Sequence, residues 1–369
     1  MTENAIPAIR LHQQGIAPHR FTDPTEVVRW MGAIHAQNYH QAVWAIGARL
    51  PEGTPNQASY AMRRHQIVRT WSQRGTIHFV PAEDAGWMVA LSAAQMIAKD
   101  ARRLRQLGLD NATLDRCAKI VQKVLAGGES EHRGTLLSHL WAEGIACSGQ
   151  RGTHIVKHLA LRGLICIGPL REKQQTIALL DDWVPNPRRL TRAESLVELA
   201  RRYFISRGPA TIHDFAWWAD LTFTDARDGL EGAKPALISE KFNDQEYWLA
   251  ADARATTDSS LVLLPCFDEY LLGYTDREAV LKREHVSKVS PTGDGVCMAV
   301  IVSNGQIIGT WKRTIKRQQF ITLAGRRTSK EILVISRQPF THLTSDQSAA
   351  FEAAARRYAA FRGLEAVFD

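Results

Sequence analysis

The amino-acid sequence predicts an α+β fold in which one order of elements occurs three times before a strand-rich C-terminal region. The order helix, turn, helix, hairpin recurs within residues 6–80, 113–183 and 192–250, and strand patterns dominate from about Thr256. This is the element order of a winged helix-turn-helix. The three units share negligible sequence identity, so only the order repeats. The predicted domains are 1–112, 113–191, 192–255 and 256–369.

The composition describes a globular protein with an excess of basic residues. Of 369 residues, 45% are hydrophobic, and 46 Lys and Arg against 38 Asp and Glu give a net charge of +8. This excess favours a polyanionic partner such as nucleic acid. The sequence shows no signal-peptide pattern and no apolar run of membrane-spanning length, so we expect a cytoplasmic protein without membrane contact.

The cysteines and histidines do not follow the spacing of metal sites. The five cysteines are scattered without a CxxC pair, and the 13 histidines form no HExxH motif. The sequence also lacks the GxxxxGK[ST] and GxGxxG phosphate-binding loops. We therefore predict no disulfide framework, no metal and no cofactor.

The first unit opens with a helix start at residues 22–26, where a capping residue precedes an acid in the first turn. A helix with an apolar stripe is predicted to follow and to carry His35. A second helix is predicted from Gln57 to about His65. Residues 67–80 contain two β-rich runs around a Ser-Gln-Arg-Gly turn, which is typical of a hairpin.

The second unit shows the repeated order most clearly. Helices are predicted at 113–125, which ends at a Gly-Gly pair, and at 136–143, and residues 153–162 form the candidate recognition helix. Two strands at 164–168 and 176–180 form the predicted wing.

The third unit and the C-terminal region complete the chain. The third unit's hairpin is signalled by Asn243-Asp244, and its neighbouring Trp217 and Trp218 are expected in the core. A helix is predicted over 345–362. Strands of the C-terminal region, with a turn at Asn304-Gly305, are predicted at 261–265, 296–302, 306–312, 318–322 and 330–336.

A polar stretch interrupts the apolar first unit. His35 and Gln37 flank Ala36, and on one helix their side chains would point about 200° apart. Both side chains address one site only if the helix ends or kinks, which the polar run 37–41 allows. A buried polar group without a partner costs roughly 1–3 kcal/mol. These side chains therefore either belong to a polar helix end or line a cavity.

Several motifs resemble the winged-helix DNA glycosylases typified by AlkZ and YcaQ. They lie at residues 32–37 with 45–50, at 69–78 and at 264–277, and Gly305 and 309–311 also fit. The resemblance covers nearly the whole chain. It implies three tandem winged helices in a C-shaped scaffold, a C-terminal β-domain, and DNA in the concave face. Members excise alkylated purines, and some unhook interstrand crosslinks.

The resemblance also implies the catalytic residues. The family motif, glutamine, an apolar residue, then glutamine or aspartate, falls on His35-Ala36-Gln37. His35 departs from the commonest glutamine, whereas Gln37 indicates the AlkZ-like branch. An alkylated purine is already a good leaving group, and its glycosidic bond breaks with oxocarbenium character at the sugar. We expect Gln37 to orient a water through its carbonyl oxygen, and neutral His35 to orient that water or accept its proton.

Basic residues on three elements are predicted to contact DNA. In the first hairpin, Arg74 is assigned to phosphate or site contact, whereas Arg69 braces the first helix. The other candidates, from the second recognition helix, its wing and the C-terminal region, are Arg151, His154, Lys157, His158, Arg171, Lys173, Lys312, Arg313, Lys316, Arg317, Arg326, Arg327 and Lys330.

One acidic cluster has two interpretations. It is either a general-base or metal site, or a salt-bridge network that holds the C-terminal domain against the helices. The neighbouring Tyr270 and Tyr274 are expected to pack. The cluster consists of Asp268, Glu269, Asp276 and Arg277.

The leading interpretation is a monomeric, monofunctional DNA glycosylase that hydrolyses the N-glycosidic bond of N-alkylated purines in double-stranded DNA, including bulky adducts or interstrand crosslinks. The lesion is either flipped out or reached from the minor groove. The alternative is a non-catalytic winged-helix DNA-binding protein or transcriptional regulator, although regulators usually dimerise and the sequence has no coiled-coil heptads. A third reading, a protein-interaction scaffold, predicts DNA affinity that is indifferent to salt.

Overall fold

The computed structural model describes residues 5–256, 260–291, 297–321 and 327–368, and it has the expected α+β composition. The first part of the chain contains five helices and three strands. They are α1 (Ala5–Gln13), α2 (Pro24–Met31), β1 (Ile34–His35), α3 (Tyr39–Gly47), α4 (Pro55–Arg63), β2 (Ile67–Trp71), β3 (Ile77–Pro81) and α5 (Ala85–Gln106).

The next two groups of elements follow the same order. The second group comprises α6 (Asn111–Leu125), β4 (Ser130–His132), α7 (Arg133–Ala142), α8 (Gln150–Leu161), β5 (Ile165–Ile167), β6 (Thr176–Leu179) and α9 (Leu180–Trp183). The third group comprises α10 (Arg192–Arg207), α11 (Ile212–Ala219), α12 (Phe223–Ala233), β7 (Leu237–Phe242) and β8 (Gln245–Ala250).

Each group contains one element that the sequence analysis missed. In each group, a short extended segment follows the helix that begins the repeated order, and it pairs with the last strand of the hairpin. These helices are α2, α6 and α10. In the first two groups the segment is β1, which pairs with β3, and β4, which pairs with β6. In the third group it is a single bridge between Ala210 and Trp248. The repeated order is therefore helix, short strand, helix, helix, hairpin.

The predicted helix through His35 is wrong, because α2 ends at Met31. Gly32 follows with φ 70°, a left-handed conformation that glycine adopts at little cost. His35 then pairs with His78 across the β1–β3 ladder, and Ala36 extends the pairing by donating its N–H to the Ile77 carbonyl at 2.7 Å. Because the helix ends before His35 and the chain bends at Gln37, the separation of about 200° on a continuous helix does not apply to these two side chains.

The hairpins of the first two groups join in one sheet. Its described strands run in the order β1-β3-β2-β5-β6-β4, and β2 meets β5 where Arg69 lies opposite Ile167. The first two groups are therefore not separate bodies. The β7–β8 hairpin forms its own two-stranded sheet and turns at Asn243 and Asp244, both with positive φ, as predicted.

The C-terminal region contains a long hairpin where shorter strands were predicted. Residues 306–321 form one strand that joins the predicted segments 306–312 and 318–321, while Val296 and Thr322 of the predicted strands lie outside the described residues. The predicted Asn304-Gly305 turn is present, with φ of 50° and 79°. The elements are β9 (Leu261–Leu264), α13 (Glu269–Leu272), α14 (Val286–Val289), β10 (Val300–Ser303), β11 (Gln306–Ile321), β12 (Arg327–Pro339), α15 (Ser345–Arg362) and β13 (Glu365–Phe368).

Apolar packing fixes the C-terminal region to the first group. The Trp44 ring lies 4.8 Å from that of Tyr358 and 4.9 Å from that of Phe361, both on α15. The Trp44 indole also donates to the Leu263 carbonyl at 2.9 Å. As a result, α3 is held between the β1 segment and the C-terminal sheet. No helix in the described residues is long and apolar enough to cross a membrane.

Candidate active site

The segment 35–37 is held by its backbone. The His35 N–H donates to Glu269 Oε1 at 3.0 Å, and Arg69 Nε donates to the Ala36 carbonyl at 2.9 Å. Arg69 Nη2 also donates to the Gln37 carbonyl at 3.3 Å. Arg69 thus braces this segment rather than the first helix. The contacts arrive from β2 and from α13, so three parts of the chain define the segment's position.

Glu269 is the centre of a fully buried polar network. Its Oε2 accepts from Arg207 Nη2 at 2.7 Å and Nε at 3.1 Å, and from the Trp218 indole at 2.9 Å. Burial raises the pKa of this carboxyl, but Arg207 and Arg74 outweigh burial and lower the pKa to about 2. The carboxylate is therefore ionised and does not serve as a proton donor at neutral pH.

Arg207 connects the same network to the end of α2. Its Nη1 donates to the Met31 carbonyl and its Nη2 to the Ala33 carbonyl, both at 2.7 Å. One side chain of α10 therefore satisfies carbonyls on the approach to His35 and fixes the carboxylate that accepts the His35 N–H. The network links the first group, the third group and the C-terminal region.

The His35 side chain is half-buried against aromatic rings. Its ring centroid lies 5.1 Å from that of Phe267 and 5.7 Å from that of His78. Burial lowers the pKa of His35 to about 4, with Arg74 and Arg69 acting in the same direction and Glu269 opposing them. The imidazole is therefore neutral at physiological pH and keeps a ring nitrogen that can accept a hydrogen bond.

The Gln37 side chain is exposed and anchored at one atom. Its Oε1 accepts from the Ile77 N–H at 3.2 Å. An amide oxygen carries two lone pairs, so one remains for a further donor. The polar stretch is not the end of a helix, since α2 ends at Met31, and the placement of both side chains at one site stays a prediction.

His78 is a neighbour whose role the sequence did not indicate. It is completely buried, and its Nδ1 lies 3.2 Å from the Thr76 carbonyl oxygen. Burial holds the pKa of His78 well below its usual value. Its Nε2 has no hydrogen-bond partner within the described part of the chain. The contact between the His78 and His35 side chains follows from the pairing of β1 with β3, which sets the two residues opposite each other.

Trp217 is not in the core, contrary to the sequence prediction. Its side chain is 38% exposed, whereas Trp218 is buried in the Glu269 network. The Arg74 guanidinium lies 4.7 Å and that of Arg277 5.5 Å from the Trp217 ring centroid. Arg74 also donates to the Leu272 carbonyl at 3.2 Å. These residues form a basic, aromatic rim next to Phe267.

The acidic cluster is largely structural. Asp268 forms a bidentate pair with buried Arg49, whose Nη1 and Nη2 donate to its two oxygens at 2.9 Å each. Arg277 donates to the carbonyls of Leu271 and Tyr274. Tyr270 and Tyr274 are fully buried, as expected. Within the described residues, no group of three or more His, Cys, Asp and Glu side chains is placed to hold a metal ion.

The predicted DNA contacts on α8 face the protein. Lys157 pairs with Asp100 on α5 at 2.9 Å, and His154 lies 3.5 Å from the same carboxylate. Arg151 donates to the carbonyls of Ala146 and Leu107, and His158 is buried. Lys157 and Arg151 therefore already have intramolecular partners, and the contact of these four residues with DNA stays a prediction.

Other predicted contacts lie on exposed surface. Lys173 is exposed in the loop between β5 and β6, while Arg171 donates to the Ser130 carbonyl at 2.6 Å. Arg313 is half-buried, with its Nη1 3.4 Å from the side-chain oxygen of Gln41. The other predicted residues on β11 and β12 whose side chains are described are also exposed, and one of them, Lys330, pairs with Glu365 at 2.6 Å. They are Lys312, Lys316, Arg317 and Lys330. Arg326 lies outside the described residues, as does the side chain of Arg327.

The fold matches that of a solved DNA glycosylase structure. Over 100% of both chains, the structure superposes on the Streptomyces sahachiroi DNA glycosylase AlkZ with a TM-score of 0.79 at 23% sequence identity. The chain therefore has the fold of a DNA glycosylase.

The sequence comparisons identify the family. The family model described as DNA glycosylase AlkZ-like matches residues 28–361, so the chain belongs to the AlkZ-like DNA glycosylase family, as its motifs indicated. A curated relative, the "Interstrand DNA cross-link repair glycosylase" of Streptomyces sahachiroi, is 28% identical over 333 residues, which cover 83% of this chain and 86% of the relative. Family membership implies DNA as the substrate.

The lowered pKa of His35 predicts how excision depends on pH. The value of kcat/KM depends on the protonation state of the free enzyme. Because the pKa of His35 is about 4, His35 stays neutral at pH 5 and above. We therefore expect kcat/KM for excision to be constant between pH 5 and 8. Single-turnover excision across this range, at constant ionic strength, checks the expectation. Activity that falls with a midpoint near the ordinary histidine pKa of about 6.5 would contradict it.

Proposed function

We propose that this protein is a monofunctional DNA glycosylase that hydrolyses the N-glycosidic bond of N-alkylated purines in double-stranded DNA. The observation that carries the proposal is the placement of neutral His35 and exposed Gln37 two residues apart on a segment that β2, β3 and the Glu269 network hold in place. Two fixed acceptors suit a water, because a water molecule donates two hydrogen bonds.

The proposed reaction needs little further activation of the purine as a leaving group. The alkylated purine carries a positive charge, so the bond from C1′ to its ring nitrogen breaks with the electron pair moving to the purine, which leaves neutral. The water held by Gln37 Oε1 and a His35 ring nitrogen then adds to the oxocarbenium-like C1′. The proton of this water passes to His35 and from there to solvent. Unmodified purines leave poorly and are spared.

The proposal also assigns the architecture. We infer three tandem winged helices, within 1–112, 113–191 and 192–255, that form a C-shaped scaffold with DNA in its concave face, and a C-terminal β-rich domain at 256–369. The shared order of helix, short strand, helix, helix and hairpin supports this division. The protein is proposed to act as a cytoplasmic monomer. The relative's name, which refers to interstrand cross-link repair, supports crosslinks and bulky adducts as substrates.

The proposal is tested with a duplex that contains one N7-methylguanine. We expect strand cleavage at the lesion only after alkaline treatment, because a monofunctional enzyme leaves an intact abasic site, and no cleavage of the unmodified duplex. A parallel incubation without protein corrects for spontaneous depurination. A second duplex, cross-linked between guanine N7 atoms, is expected to give separated strands. Tight binding to one DNA sequence without any abasic product would favour the regulator instead.

A further inference from the structure

A second concave surface begins two residues after Gln37. A cavity of ≈ 300 Å³ lies between the first turns of α3 and α4, the loop that connects β5 and β6, and the end of α15. We call it the α3–α4 cavity. Its polar lining residues are Tyr39, His40, Asn56, Ser59, Lys173 and Arg362.

The α3–α4 cavity is positively charged. Its lining residues in the described chain include Lys173 and Arg362 but no Asp or Glu. Neither cation forms a salt bridge with a described acidic group, and Arg362 has only a long contact of 3.5 Å to the Tyr358 hydroxyl. Burial lowers the pKa of His40, and Arg362, Arg313 and Arg69 lower it further, so three guanidinium groups act on this position.

The polar groups of the cavity match the chemistry of a phosphodiester. The hydroxyls of Tyr39 and Ser59 bond to each other, which leaves one hydroxyl proton for a ligand. That proton and the amide of Asn56 can be donated to phosphate oxygens, while the two cations balance the charge. A phosphodiester supplies the negative charge that the two cations lack, whereas a neutral purine would leave their charge unbalanced.

The position of the α3–α4 cavity predicts which phosphate of the DNA it binds. Tyr39 opens α3 directly after the segment that carries His35 and Gln37. A strand whose sugar lies at His35 therefore continues past the start of α3, so the cavity is placed to meet a neighbouring phosphate of that strand. We propose that the α3–α4 cavity binds a backbone phosphodiester of the damaged strand beside the lesion and so sets the register of the sugar. This inference rests on the proposed function.

Methylphosphonate substitution tests the inference. One neutral methylphosphonate is placed at each position around a non-cleavable 2′-fluoro-N7-methylguanine, and Kd is measured for the native protein and for K173Q/R362Q. For the native protein, one position should weaken binding about tenfold, the size expected for a lost charge-assisted contact. In the double variant this loss should disappear, and the slope of log Kd against log salt should fall by about one.

A matched control removes the same charge elsewhere. Lys119 on α6 and Lys241 on β7 are exposed and do not line the cavity, so K119Q/K241Q should keep the position-specific loss. An equal methylphosphonate loss in native protein and K173Q/R362Q, or no loss at any position in the native protein, would overturn the inference. Excision of cleavable N7-methylguanine by the native protein is measured separately. If excision is normal but either of those binding results is found, the cavity does not bind a phosphate and the proposed glycosylase activity stands. If the native protein does not excise N7-methylguanine, the proposed glycosylase activity is wrong.

Discussion

Gln37→Ala and His35→Ala should each lower the single-turnover rate of N7-methylguanine excision by about 10²–10⁴-fold, the usual contribution of a positioned acid–base group. Each change removes one of the two acceptors that we assign to the attacking water. Both side chains have exposed surface and no core role, so the fold and the affinity for undamaged duplex should be retained. Excision, thermal unfolding and DNA binding are measured on the same preparations.

Two further variants make this test specific. His139 is an exposed histidine on α7, so His139→Ala controls for the loss of an imidazole and should keep the native rate. His35→Gln restores the commoner family residue and keeps an acceptor, so it should retain most of the activity that His35→Ala loses. Native excision by Gln37→Ala or His35→Ala would remove both residues from the mechanism.

Glu269→Gln should destabilise the protein by about 3–5 kcal/mol, because it leaves a buried guanidinium without its charge partner. Glu269 and Arg207 both have completely buried side chains, and the carboxylate also accepts from the Trp218 indole and the His35 N–H. Excision should fall as well, since the segment that carries His35 loses an anchor. Equilibrium urea unfolding measures the first effect.

An exposed ion pair provides the control. Glu278 pairs with Arg283 at 2.8 Å, but both side chains are largely solvated, so Glu278→Gln should leave the unfolding midpoint nearly unchanged. Replacing both partners, as in R207M/E269L, should recover part of the stability that Glu269→Gln loses but none of the excision. Equal midpoints for Glu269→Gln and Glu278→Gln would contradict a stabilising role for the buried pair.

The same pair predicts the acid limit of stability. The pKa of Glu269 is lowered to about 2 in the folded protein, below the ordinary value of 4.5. The unfolded chain therefore binds the proton first as pH falls, so the contribution of this group is complete above about pH 4.5 and is lost between that pH and about 2. In Glu269→Gln this part of the pH dependence should be absent.

Local chemistry explains the elements that the sequence predicted well. The helix predicted over 345–362 is α15, whose Thr344 and Gln347 form a capping box and whose end is set by Gly363 in the left-handed region. Asn243-Asp244 and Asn304-Gly305 are turns because asparagine, aspartate and glycine tolerate positive φ. In each case, the deciding residues lie within a few positions of the element.

Distant partners explain the elements that the sequence did not predict. The two-residue strand β1 exists because β3 pairs with it, 43 residues along the chain, and the acceptor for the His35 N–H arrives 234 residues later. A helical apolar pattern around Met31 competes with this pairing and suggests one continuous helix. The proposed catalytic motif is recognisable from family resemblance, whereas its position depends on distant partners such as Glu269 and Arg207.

The same reasoning applies to the basic residues. Their number was evident from the sequence, but whether each is free to meet DNA depends on which acids the fold brings near. Lys157 meets Asp100, whereas Lys173 lies in a cavity that no described acidic residue lines. The first lysine stabilises the contact between α5 and α8, and the second is available to a phosphate.

The most direct test of the account is a structure of the protein with a duplex that carries a cationic azasugar in place of the damaged nucleoside. Such an analogue reproduces the charge of the oxocarbenium-like transition state. The proposed mechanism predicts one ordered water beneath the azasugar, within about 2.6–3.2 Å of both Gln37 Oε1 and a ring nitrogen of His35. A sugar bound away from these two side chains, or a water held by other groups, would contradict it.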